Sequence, residues 1–225
     1  VKLDSNIADK INNELYLLDN KLYGYIPVKI SLQPNDYYIK IYDNNILTHS
    51  YNIKVIENKF TVQNLTIDPT ILAQSTSKEA VDEYNKTVAI GKSYNIKDKL
   101  FEDDFISPTT GRITTEFGLK RYTNGSKTPS RHYGIDIAND RGTPIKAVAN
   151  GRVTIARKIT SAGNYIMIDH GMGLLSYYGH MDSLNIEENV LVKKGDVIGY
   201  MGSTGFATGS HLHFAMTFKD TYIDP

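Results

Sequence analysis

The sequence predicts a mainly β protein in two parts joined by a helix, and three observations carry that prediction. Apolar and polar residues alternate from Ile26 to about Ile67, with turn residues between the runs, and a period of two is the mark of half-buried strands. From Thr76 the apolar spacing lengthens to that of a helix. Of the 17 glycines only Gly24 and Gly91 precede residue 101, so the rest crowd a second half suited to short strands and tight turns. A length of 225 residues suffices for one large domain or two modest ones.

Taken in order, Ile26, Val28, Ile30 and Leu32 share one face of a first expected strand. Pro34-Asn35-Asp36 turns the chain into a second, with Tyr37, Ile39 and Ile41 on one face. Asp43-Asn44-Asn45 is the next turn, and strands continue to about Ile67, giving a small antiparallel domain over residues 1–75. Thr76-x-x-Glu79 has the form of a capping box. Ala80, Val81, Tyr84 and Val88 then recur at helical spacing up to about Gly91. This helix and a connector leading to Pro108 make a linker over residues 76–106. Beyond it, strands are expected at 113–117, 153–157, 165–170, 174–179, 197–201 and 211–216, so residues 107–225 read as an all-β body.

Composition removes several function classes. The 25 basic and 25 acidic residues cancel, which leaves no electrostatic footprint for nucleic acid. No cysteine is present, so neither a thiol nucleophile nor a Cys-ligated metal is available, and the redox compartment stays open. No run of about 18 apolar residues could span a membrane. The first residues, VKLDSNIADK, lack the basic and apolar regions of a signal peptide, so for an exported protein a signal or anchor is expected upstream.

Two stretches carry the chemistry: His132-Tyr133-Gly134-Ile135-Asp136 and His211-Leu212-His213. They contain three of the six histidines and one carboxylate, the donors that bind Zn²⁺. Three protein ligands with the fourth position open is the arrangement of a catalytic zinc site. On a strand His211 and His213 point to the same side, roughly 7 Å apart, and either could hold the ion while the other faces the reacting groups. His132 and Asp136 would lie about 13 Å apart on a straight strand, so Gly134 is expected to bend the chain. No H-E-x-x-H helix occurs, which removes the glutamate-base logic of other zinc proteases. His49 and His170 read as structural or exposed, and Tyr122, Tyr177 and Tyr178 as packing or surface residues in a chain with 16 tyrosines. The glycine-rich loop over 202–209 lacks the Gly-Lys-Ser/Thr ending of a phosphate loop and is expected to wall a narrow cleft.

The segments RHYGIDIA (131–138), YYGHMDSL (177–184) and GSTGFATGSHLHF (202–214) resemble the signature blocks of the lysostaphin-type, or LytM, zinc metallopeptidases, which are bacterial cell-wall hydrolases. The supporting segments GRITTEFGLKR (111–121), GTPIKAVANGRV (142–153) and KKGDVIGYMGSTG (193–205) extend the resemblance over about 107–225. It implies that His132, Asp136 and His213 bind Zn²⁺ and that His180 and His211 are catalytic. It further implies an endopeptidase acting on peptidoglycan stem peptides, foremost at the cross-link between D-alanine and a diamino acid, with glycyl-glycine bonds second. The alternative from the same resemblance is a non-enzymatic regulator that activates another wall hydrolase. The implied setting is the bacterial cell envelope, periplasmic or extracellular, and the implied state a monomer. Residues 1–75 would then regulate, space or target the peptidase.

Overall fold

A computed structural model describes residues 1–7, 15–18, 20–102 and 104–225, and the chain divides into two units, Val1–Lys59 and Phe60–Pro225. In the first, β1 (Lys2–Ser5), β4 (Asn35–Asp43) and β5 (Ile46–Val55) form an antiparallel sheet in the order β1-β4-β5, and β2 (Tyr16–Leu18) pairs with β3 (Lys21–Tyr23). The β4–β5 hairpin closes at Asn44 and Asn45, whose φ values of 48° and 63° are the left-handed pair that tight hairpins need and asparagine tolerates. The strand expected over 26–32 does not form. Pro27 can give no ladder hydrogen bond, and the Leu32 N–H turns back to the Lys29 carbonyl at 2.9 Å, so among the described residues the alternation there meets no partner strand.

The second unit starts earlier than the expected boundary near residue 75. Its first strand, β6 (Val62–Leu65), runs parallel to β8 (Lys120–Thr123), with Gln63 opposite Arg121, and β9 (Ser130–Arg131) completes that small sheet. Two helices follow. In α1 (Pro69–Ser75) proline sits in the first turn, and the Asp68 carboxylate accepts from the Thr70 N–H at 2.8 Å, a start signal the periodicity alone does not contain. Thr76 closes α1 by bonding to the Leu72 carbonyl. The cap of α2 (Lys78–Ser93) is therefore Ser77, which accepts from the Ala80 N–H at 3.2 Å.

The main antiparallel sheet has the order β16-β12-β13-β14-β18-β10-β7, built from β7 (Arg112–Thr115), β10 (Ile135–Ala138), β12 (Gly151–Ile159), β13 (Gly163–Gly171), β14 (Leu174–Met181), β16 (Leu191–Val192) and β18 (His211–Phe218). β19 (Thr221–Ile223) pairs with β18. A smaller sheet holds β11 (Pro144–Lys146), β15 (Ser183–Leu184) and β17 (Val197–Tyr200). Alternation divides each central strand between two cores. Ile166 and Ile168 of β13 join Ile145, Ile198, Met201 and Leu212 on one side. Tyr165 and Met167 join Ile155, Leu175 and Tyr177 on the other, where Tyr84 and Val88 of α2 pack. Each buried isoleucine or methionine contributes roughly 1.5–3 kcal/mol. The helix is thus one layer of the second unit rather than a bridge outside it. It also passes through Gly91 instead of ending there: a Cβ on Gly91 would lie 2.6 Å from Met167 Cε and 3.0 Å from Ile155 Cγ1, so glycine lets the helix settle closely on the sheet. Among the described residues no helix is long and apolar enough to cross a membrane.

Candidate functional site

The site is centred on the pairing of β10 with β18. Their register sets Asp136 directly opposite His213 and Ala138 opposite His211. Along β18 the two histidines share the cleft face while Leu212 between them is fully buried in the core, as a period of two requires. His132 enters from the link between β9 and β10, its backbone tied to Leu119 and Gly118.

Three ligand atoms converge. His132 Nε2 lies 3.0 Å from Asp136 Oδ1 and 3.1 Å from His213 Nδ1, and His213 Nδ1 lies 2.9 Å from Asp136 Oδ1. These three residues form the one candidate metal-binding group among the described residues. The donor set fits a small divalent ion: two imidazole nitrogens and a carboxylate oxygen at metal–ligand distances of about 2.0–2.1 Å would form a triangle with edges of about 3.3 Å, slightly wider than the one seen. Burial opposes ionisation of Asp136, but the His132 and His213 rings outweigh it and hold the carboxyl far below the usual carboxylate range. The charged form that a cation requires is therefore the one present.

Gly134 acts differently from expectation. Its φ is not in the left-handed region; its smallness is what matters. A Cβ there would lie 2.4 Å from the Phe214 carbonyl oxygen and 3.0 Å from His213 Cε1, so glycine allows the loop carrying His132 to lie against β18.

His180 and His211 form a second pair, with ring centroids 4.8 Å apart. His180 has φ 64°, a left-handed angle that few non-glycine residues adopt and that histidine tolerates better than most. Its backbone N–H donates to the Ala162 carbonyl at 2.7 Å. His180 Nδ1 lies 2.9 Å from the Thr204 carbonyl, and His211 Nδ1 lies 2.9 Å from the Gly209 carbonyl. A carbonyl only accepts, so each Nδ1 carries a proton and each Nε2 is left facing away from that bond. His211 Nε2 is 4.0 Å from Asp136 Oδ1. Burial first, then the neighbouring His211 and His213 rings, pull the His180 pKa down to about 4, so that ring is neutral at pH 7.

These residues open on a cleft of about 740 Å³. Phe206 and Thr208 of the glycine-rich loop form part of its wall, and Gln63, Leu65 and Ile67 line it as well. The last three lie in the stretch the sequence assigns to the first domain, and no motif marks them. His170 is fully buried, with Nδ1 2.8 Å from the Asn150 carbonyl and Nε2 2.7 Å from Ser176 Oγ. Tyr177 and Tyr178 are buried, while His49 is exposed on β5 and stacks on Tyr51. Tyr122 does not line the cleft.

Residues 130–225 match the model of Peptidase family M23. An uncharacterised metalloprotease of Buchnera aphidicola subsp. Baizongia pistaciae is 31% identical over 187 residues, covering 79% of this chain and 48% of that protein. The peptidoglycan DD-endopeptidase ShyB of Vibrio cholerae is 34% identical over 50% of this chain and 26% of its own length. The murein hydrolase activator NlpD of Salmonella dublin is 38% identical over 52% of this chain and 29% of its own. The chain thus spans half or less of the length of these relatives. A solved Pseudomonas aeruginosa structure described as a peptidase M23 superposes with a TM-score of 0.68 at 21% identity, covering 99% of this chain and 86% of that one; it establishes the fold.

Proposed function

Since residues 130–225 form a domain of peptidase family M23, we propose that the chain is a zinc endopeptidase that hydrolyses peptide cross-links of bacterial peptidoglycan in the cell envelope. The observation that carries this reading is the His132–Asp136–His213 triangle with the His180–His211 pair beside it. His132, Asp136 and His213 would hold the ion. Bound there, zinc would polarise the scissile carbonyl and lower the pKa of a water toward about 7. The Nε2 lone pairs of His180 and His211 are the proton acceptors of the site: one takes the proton of the attacking water and returns it to the leaving amine. The other accepts a hydrogen bond from that water at Nε2 and orients it. The backbone carbonyls of Thr204 and Gly209 hold both rings in the required tautomer.

The preferred bond is the one between D-alanine and the diamino acid of the neighbouring stem, on the strength of the likeness to a DD-endopeptidase. Incubating isolated peptidoglycan with the chain, followed by mass spectrometry of the muropeptides, tests this. Cross-linked dimers should convert to monomers with the sugars intact, and a chelator should stop the conversion. The likeness to a hydrolase activator supports a second reading: no conversion by the chain alone, but stimulation of another wall hydrolase. That outcome would overturn the peptidase reading.

A further inference from the structure

Among the described residues lining the cleft, Asp136 alone is acidic, and it is committed to the ligand triangle. Arg121 and Arg131 are the lysine or arginine residues along its walls, and strand alternation separates their roles. Gln63, Leu65 and Ile67 line the cleft while Val62, Asn64 and Thr66 do not, and on β8 Arg121 does while Lys120 and Tyr122 do not. Gln63 lies opposite Arg121 in the parallel pair, so these side chains share the face turned to the cleft. Arg131 instead lies opposite Lys120. Its guanidinium donates to the Gly118 carbonyl at 2.9 Å and sits 4.7 Å over the Phe60 ring, which ties it to the scaffold.

Arg121 is held differently. Its Nε donates to Gln63 Oε1 at 2.8 Å, which fixes the plane of the guanidinium and leaves the two terminal nitrogens for another acceptor. No carboxylate among the described residues pairs with it. A planar fork with both terminal nitrogens available matches a carboxylate in two parallel hydrogen bonds. We infer that Arg121, positioned by Gln63, binds a free carboxylate of the peptide substrate and makes the cleft selective for acidic stem peptides over neutral glycine bridges. This rests on the peptidase reading above and specifies its substrate.

Two synthetic cross-linked stem peptides that differ only in a free carboxylate or a primary carboxamide on the diamino acid provide the test. Hydrogen bonds to a charged group predict a preference for the carboxylate of about 10- to 100-fold in kcat/KM, expressed mainly in KM. R121Q should collapse that ratio toward one, and R121K, which keeps the charge but loses the fork, should retain part of it. Thermal melting and zinc content show that each variant is folded and loaded. A wild-type ratio near one, or a ratio that survives R121Q, overturns the inference. If neither peptide is cut, the peptidase reading fails instead. Calorimetric binding of the two peptides then still decides the Arg121 assignment: tighter binding of the carboxylate, lost in R121Q, upholds it, and equal binding removes it.

Discussion

Gly134→Ala strains the ligand triangle without altering a ligand. The new Cβ would sit 2.4 Å from the Phe214 carbonyl oxygen, 3.0 Å from His213 Cε1 and 3.1 Å from Ala215 Cβ. Since such contacts essentially never fall below 3.0 Å, oxygen and Cβ must separate by about 0.6 Å (3.0 − 2.4). The oxygen is backbone of β18, paired on one side with β10 and on the other with β14, so no flexible side chain can absorb the shift. Overpacking of this kind costs about 1–3 kcal/mol. At about 2–4 °C per kcal/mol for a domain of this size, Tm should fall by about 2–12 °C. Because Ile135 pairs with Phe214 and Asp136 with His213, the same displacement should weaken zinc binding. Gly91→Ala is the control. Its Cβ meets Met167 Cε and Sδ at 2.6 and 2.8 Å, the mobile end of a side chain, and alanine gains about 1 kcal/mol of helix propensity over glycine. Its net effect should lie within about 1 kcal/mol of zero. Thermal melts in excess chelator report the sheet strain, and zinc titration reports the ligands. A Gly134→Ala protein that melts with Gly91→Ala in chelator and binds zinc as wild type does would refute the steric argument.

Metal analysis of His132→Ala and Asp136→Ala should show strongly reduced zinc. His180→Ala and His211→Ala should keep the metal and lose about 10²- to 10⁴-fold in turnover; zinc lost from His211→Ala but kept by His213→Ala would exchange the roles of those two. Burial holds the His170 pKa at about 4 against an ordinary 6.5. The unfolded chain therefore binds the extra proton first, and His170 contributes stability above pH 6.5 that is lost as pH falls toward 4, about 3 kcal/mol at most. Melts across that range should be steeper for wild type than for His170→Gln, and parallel curves would contradict this. Residues 60–225 should fold and melt cooperatively, whereas residues 106–225 lack the helix over Ile155 and Met167 and should melt lower or aggregate; circular dichroism of the two fragments decides. On intact peptidoglycan, gating by the first unit predicts faster cleavage by residues 60–225 than by the whole chain.

Short apolar strands set apart by turn residues were legible as strands: β12, β13 and β14 lie where the sequence places them and pair in sequence order as a meander. The metal-binding candidates were legible too, because H-x-H on a strand places both rings on one face whatever the partner. What local sequence does not contain is where a strand docks. Residues 26–32 alternate cleanly yet form no strand, while β6 joins a partner nearly 60 residues away in parallel. That pairing carries Gln63, Leu65 and Ile67 to the cleft. The boundary near residue 75 failed for the same reason, since a helix with an apolar stripe does not declare which sheet it covers. Likewise Gly134 was marked as special by its place between two candidate ligands, but the carbonyl that makes it necessary belongs to β18.

The ligands are unevenly spaced along the chain. Asp136 follows His132 by 4 positions, whereas His213 follows Asp136 by 77. An ion held by all three is a removable cross-link closing a long loop in a chain that has no cysteine to do so. If the ion limits the unfolded ensemble as a disulfide does, a loop of that length corresponds to about 4.5 kcal/mol. On the proposed function the ion would then govern the lifetime of the chain as well as its chemistry: scarcity of zinc would silence the proposed peptidase activity and, in the same step, make the chain easier for proteases to degrade.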